Sequence, residues 1–325
     1  MKALTRFLCG SVLGIACTGP AQAQAAYPDK PIQIVLSFPA GGGTDVLTRA
    51  VGARLSQSLG QAIVVDNRPG AGGAIGLHTA ARSTPDGYTL YMASVTSQAI
   101  AASVYGNQKA SLVDDFTPIA GVGKLTHALI VPASLPVSTV KELIEYVKAN
   151  PGKHNYASQG AGTLSHLESE IFIEKVGLDM VHVPYKGSTQ ALPDVVNGSS
   201  IMMFDSITTA QPLVQAGKLK MLAVASAQRV PFLPDVPTLA ESGVEGFDAT
   251  VLFGLAGPKG IPQEVVDRVA AALKETVEQP ELQKALQVQG FELAFMPPAE
   301  FGQAIVGEHK FWGDVVKSVG VSLNP

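Results

Sequence analysis

The sequence predicts an α/β protein of two domains, each built from parallel βαβ units. Strand-like and helix-like stretches alternate from Tyr27 almost to the end of the chain. Glycine-rich loops join strand to helix at Pro39–Thr44, Asn67–Gly73 and Gln159–Ser165. A short pattern also recurs. Ala128–Leu143 and Leu252–Val266 each read strand, proline, loop, proline, helix, which suits strands that cross between two domains.

The chain is organised around Pro31–Gly60. Ile32–Leu36 is an apolar, β-branched run stopped by Pro39. Gly41, Gly42 and Gly43 allow a tight turn with uncovered N–H groups, and Thr44 or Asp45 is expected to cap the following helix, which Gly60 ends. A helix start has unpaired N–H donors and a positive dipole end, a site suited to a carboxylate or phosphate. Asp45 reads as a helix cap paired with Arg49.

Before this unit, residues 1–26 read as an export signal. Lys2 and Arg6 form a basic start, Phe7–Cys17 a short apolar core, and Ala21–Ala23 a small-x-small cleavage site. The apolar run is too short for a bilayer, which takes roughly 20 residues. Both cysteines, Cys9 and Cys17, lie in this leader, so the exported chain is expected to have no disulfide. Losing Lys2 and Arg6 takes the formal charge from −4 to −6. A mildly acidic chain without a basic stripe excludes nucleic acid as a partner.

After it, Ala62–Asp66 is a short strand and Ala74–Arg82 a helix closed by Pro85-Asp86-Gly87. Tyr88–Ala93 is the next strand, with Ser94–Ser97 at its carboxyl end. Val140–Ala149 is an amphipathic helix, Asn155–Ser158 a strand, and His166–Val176 a helix capped by Thr163 or Ser165. Met180–Val183, Ile201–Phe204 and Leu219–Val224 are strands, with a helix at Gln190–Val196. Pro231–Gly246 reads as a long surface connection, and helices follow near Val265–Val277, Glu281–Gln289 and Phe301–Val319. Domain one is therefore expected at 27–124 plus 250–325, and domain two at 125–249, with ligands bound in the cleft beyond the carboxyl ends of the strands.

The segments YPDKPIQIVLSFPAGGGTD, VVDNRPGAGGAIG, PDGYTL, YASQGAGTLSH, VHVPYKGS, AGKLKMLAVAS and LPDVPTLAESG occur in this order. In this combination the chain resembles the TctC/Bug-like periplasmic substrate-binding proteins of tripartite tricarboxylate transporters. The resemblance implies a periplasmic-binding-protein (Venus flytrap) fold, two Rossmann-like domains joined by two crossing strands. It implies a monomer in the periplasm that catalyses nothing, needs no cofactor, and delivers an organic carboxylate to membrane permease subunits. Di- and tricarboxylates, acidic amino acids and aromatic carboxylates are the ligand classes. A sensor presenting its ligand to a membrane signalling partner is the alternative role. Carried over, the ligand contacts fall on Phe38, Ala40, Gly41, Gly42, Gly43, Thr44 and Asp45, on Ser94 and Thr96, and on Ser158, Gly162, Thr163 and Ser165, with Tyr185 and Asp205 beside them. Ala161 and Leu164 replace a polar pair that family members carry, which implies a more apolar distal specificity.

Enzyme readings fare worse. Gly70-x-Gly72-x-x-x-Gly76 departs from the dinucleotide spacing, and no acidic residue closes the next strand. There is no G-x-S-x-G and no H-E-x-x-H. The six histidines show no metal spacing, and His166 and His182 read as structural. Lys186 reads as a solvated loop charge.

Overall fold

A computed structural model of the protein describes residues 27–105 and 108–320. The expected export signal and both cysteines lie outside the described residues.

One lobe is a sheet in which β1 (Ile32–Leu36) lies between β2 (Ile63–Asn67) and β3 (Thr89–Ser94), all parallel. β9 (Thr250–Pro258) continues the sheet antiparallel to β3. The first part of β4 (Phe116–Pro132) follows, and then β10 (Phe291–Met296). The second lobe sets the end of β4 between β8 (Leu219–Val224) and β7 (Met202–Ser206), followed by β5 (Asn155–Ser158) and β6 (Val181–Pro184).

β4 belongs to both lobes without a break. Thr126 is its last residue opposite β9, and His127 its first opposite β7. The return crossing lies beside it, where the Ala249 N–H donates to the Ala225 carbonyl just before β9 begins. The two crossing strands of a Venus flytrap are therefore neighbours. Register shifts at Pro118/Ala120 and Gly121/Gly123 bend β4 as it approaches the crossing.

Apolar burial explains the layers. Ile32, Ile34 and Leu36 of β1 pack with Leu47, Val51 and Leu55 of α1 (Gly43–Leu59) and with Val266, Val269 and Leu273 of α8 (Gln263–Val277). The opposite face is closed by α2 (Ala74–Ala81), α3 (Val95–Tyr105) and α10 (Pro298–Val319), whose Phe301 is fully buried. In the second lobe, Leu143 and Val147 of α4 (Val140–Lys148) and Phe172 of α5 (Leu164–Val176) cover Leu129, Tyr156 and Phe204. α6 (Ser188–Val196) and α7 (Ile207–Gln215) cover the other face, and α9 (Pro280–Gln287) precedes β10.

Ser94–Ser97 lies at the carboxyl end of the third strand as expected, where Ser94 ends β3 and α3 begins at Val95. Two expectations need correction. The α1 cap is Gly42 rather than Thr44 or Asp45, since Gly43 already takes helical backbone geometry. Pro231–Gly246 is anchored rather than superficial, with Leu239 and Val244 buried in the second core; Phe247, just beyond, stacks on Phe204 at 5.8 Å.

Candidate functional site

The two lobes face one another with the carboxyl ends of β1, β3, β5, β6 and β7 turned inward. Between them lies a cavity of about 20 Å³. Phe38, Pro39, Gly42, Gly43 and Thr44 line it from the first loop, and Ser94 and Ser97 from the start of α3. The second lobe contributes Gln159, Gly187, Ser188 and Ser206; Leu125, His127, Val251 and Phe253 come from the crossing strands. An outer cavity of about 210 Å³ shares Phe38 and Gln159 and reaches Gly70–Gly73, Tyr185 and Lys186.

Four helices, α1, α3, α6 and α7, begin at the inner cavity. Their first N–H groups have no partner within the helix and carry the positive end of its dipole. Among the described residues, no Lys, Arg, Asp or Glu lines this space. The arrangement suits an anion held by N–H and hydroxyl donors.

Small residues let the lobes meet. A Cβ on Gly187 would lie 2.6 Å from the Pro39 ring, and one on Gly72 would lie 2.7 Å from the Ala161 carbonyl oxygen. The Tyr105 hydroxyl donates to that same carbonyl at 3.0 Å.

The residues singled out in the sequence separate into groups. Phe38, Gly42, Gly43, Thr44 and Ser94 line the inner cavity, and Tyr185 the outer one. Ala40 and Gly41 are exposed at the lip. Asp45 is buried among its own partners: its carboxylate accepts the Gly41 N–H at 2.9 Å, Arg49 Nε at 2.9 Å and Asn67 Nδ2 at 3.0 Å. Burial alone would raise its pKa, but the Arg49, Gly41 and Asn67 hydrogen bonds hold it below the usual carboxylate range. Thr96 faces the α10 side, donating to Glu308 at 2.6 Å and accepting the Leu252 N–H at 3.1 Å.

The hydroxyls of the third glycine loop serve the loop itself. Thr163 caps α5, accepting the His166 N–H and donating to the Gly160 carbonyl. Ser165 Oγ donates to the Phe204 carbonyl at 2.5 Å and accepts the Gln159 N–H at 3.2 Å. Ser158 Oγ lies 2.7 Å from His182 Nε2 and accepts the Gly160 N–H. Gly162 packs on Tyr105. Asp205 works one layer back, accepting from Gln159 at 2.8 Å, Ser188 at 2.6 Å and Thr209 at 2.7 Å, so it orients two cavity residues. Ser97, His127, Gln159, Ser188 and Ser206 were not singled out in the sequence. Ser97 lies one turn after Ser94, and Ser188 and Ser206 end strand-to-helix joints, a usable signal; His127 gave none.

Below the loop, His182 is stacked between Tyr156 at 4.8 Å and His166 at 4.0 Å. His166 accepts the Gly162 N–H at Nδ1 and faces Glu170 at 3.6 Å. Burial, and then the neighbouring His166, push the His182 pKa down to about 4.

The architecture is that of the periplasmic-binding-protein class, in which two lobes enclose a cleft. The chain belongs to the tripartite tricarboxylate transporter receptor family: the family described as "Tripartite tricarboxylate transporter family receptor", TctC, matches residues 47–321. It is similar to the periplasmic binding protein BugD, with 34% identity, TM-score 0.87, and coverage of 91% of this chain and 99% of that one. It is similar to R. palustris Rpa4515, solved with adipate, at 32% identity and TM-score 0.88, covering 91% and 99%. MatC from Rhodopseudomonas palustris, solved with bound malate, is 29% identical with TM-score 0.82, covering 89% and 100%.

The depressed His182 has a consequence for stability. Unfolded, it binds a proton near its ordinary value of about 6.5; folded, it resists until about 4. Its contribution is therefore present above pH ~6.5 and is lost as pH falls toward 4. His182→Phe should flatten the decline of Tm between pH 7 and pH 4 seen in the parent protein, measured by calorimetric scans. An unchanged decline would show that His182 does not set it.

Proposed function

We propose that the protein is a periplasmic receptor that captures a small organic carboxylate in its interlobe cleft and hands it, chemically unchanged, to membrane permease subunits. The observation that carries this reading is the convergence of four helix starts on a cavity whose lining, among the described residues, has no Lys or Arg. Such a lining favours a carboxylate. Adipate and malate in two relatives are both dicarboxylates, which supports the ligand class. The receptor family supports delivery to a transporter.

On this reading Thr44, Ser94 and Ser97 contact the ligand from one jaw, and Gln159, Ser188 and Ser206 from the other. Thr163, Ser165 and Asp205 hold the second jaw in shape. An inner cavity of about 20 Å³ has room for about one water, so a diacid enters it only when the jaws part. The two lobes then move as bodies against one another about the crossings at Thr126/His127 and Ala249/Thr250. A ligand favours the closed form by its difference in affinity for the two forms.

Two measurements test this. Calorimetry against a panel containing malate, adipate, citrate and aspartate should find a one-to-one ligand recovered unaltered, and its methyl ester should bind at least tenfold more weakly. Equal affinity for the ester, or a chemically changed product, would refute the reading. Gly72→Ala should leave the lobes folded, at about 1 kcal/mol for a left-handed alanine. The added Cβ lies 2.7 Å from the Ala161 carbonyl oxygen of the other jaw, and 3.0 Å from the Tyr105 ring of its own lobe, which yields by a few tenths of an ångström. Ligand-induced compaction in small-angle scattering should then be lost and affinity should fall at least tenfold; compaction like that of the parent would show that the jaws do not close there.

A further inference from the structure

Behind the cavity lies an ion pair that the helix-start account does not use. His127, the first residue of β4 within the second lobe, places Nδ1 2.7 Å from Glu168 Oε2 on α5. Both side chains are almost fully buried, 2% and 1% exposed. The imidazole lines the inner cavity. With Nδ1 engaged by Glu168, Nε2 is the ring nitrogen left to face that space, and it has no hydrogen-bond partner among the described residues. Among the described residues it is also the cavity's sole side chain from Asp, Glu, His, Lys or Arg.

We propose that His127, as an imidazolium braced by Glu168, donates its Nε2–H to a carboxylate of the bound ligand, so that the receptor takes up the anion together with a proton held on the protein. This rests on the carboxylate-receptor reading above and adds to it the group that recognises the charge.

The electrostatics of the surroundings support the charged form. Among the described residues Glu168 Oε1 has no partner, and His127 is the single group that satisfies this buried carboxylate. A buried carboxylate with a neutral neighbour is far more costly than one with a counter-charge. Asp205 on β7 adds a second negative charge nearby. On α1, Asp45 is neutralised by Arg49. On α5, His166 and Glu170 pair with each other. Asp194 on α6 is occupied by the Tyr185 hydroxyl, and Lys220 on β8 bonds the Leu135 carbonyl. α7 and β9 carry no ionisable side chain, and α3 carries only Tyr105. Burial works against the imidazolium, but Glu168 and Asp205 outweigh it and hold His127 above its ordinary range. Burial likewise raises the Glu168 carboxyl against the opposing pull of His127, so both shifts act to keep a proton on the pair. A ligand carboxylate at Nε2 strengthens that hold.

The sign follows by linkage. Above pH ~6 a simple dicarboxylate is fully ionised, so any further pH dependence comes from the protein. Affinity should fall as pH rises through the titration of His127, by up to tenfold per unit for one proton.

Calorimetric titration with malate and with adipate, from pH 6.5 to 9.5, tests this on the parent protein, on Glu168→Gln, and on the double variant His127→Gln/Glu168→Gln, which leaves no unpaired buried charge. The parent should lose affinity toward alkaline pH. Glu168→Gln should move that loss to lower pH, because the imidazolium loses its counter-charge. The double variant should bind at least tenfold more weakly at pH 7 and show no pH dependence. Parent affinity that is flat across the range, or a double variant that binds like the parent, would overturn the assignment of His127 while leaving the receptor reading intact. Failure of every carboxylate to bind the parent at any pH would overturn both.

Discussion

The structure depends on unpaired backbone N–H groups at helix starts being held face to face across a narrow gap. A helix cannot satisfy its own first turn. A parallel βαβ unit places that turn at the carboxyl edge of its sheet. Here two such edges are turned toward one another, so donors of α1 and α3 meet donors of α6 and α7. The lobes press glycine against proline and glycine against carbonyl, as at Gly187–Pro39 and Gly72–Ala161. The site is positive without lysine or arginine, which avoids burying long charged side chains that have no internal partner.

That economy at the cleft surface is supported by a polar layer behind it. Asp45 ties the first loop to Arg49 and Asn67, and Asp205 ties Gln159 and Ser188 to α7. Thr163, Ser165 and Ser158 fix the third glycine loop, and the Tyr156–His182–His166 stack props it from below. Buried polar groups of this kind need every partner present, so each loop is held in one shape by its own lobe. The neighbouring crossings, one continuous through β4 and one entering β9, join the lobes through a narrow strip of backbone.

Much of this was legible in the sequence. β5 and β8 are short runs bounded by turn residues, and both fall where expected. The glycine loops revealed the anion-binding chemistry because backbone exposure is written directly as glycine. α3 was not legible: VTSQAIAASVY is buried on nearly all sides and shows no amphipathic stripe. The first half of β4 was masked by Pro118, Gly121 and Gly123, which here accompany its register shifts. Within the site, residue type revealed which loops matter but not which hydroxyls face the cleft. Ser158, Thr163 and Ser165 satisfy backbone groups of their own loop, whereas Ser188 and Ser206 line the cavity with their hydroxyls paired to Asp205 and Thr209. His127 was invisible because the partner that gives it a role, Glu168, is 41 residues away in the chain.

The central claim is that helix-start N–H groups of both lobes grip the anion. Its most direct test is the amide proton spectrum of the isotope-labelled protein titrated with adipate or malate. The account predicts large downfield shifts at Gly43 and Thr44 in one lobe and at Ser188 in the other, all saturating with a single affinity. Shifts confined to one lobe, or absent from these amides when the acid is bound, would contradict it.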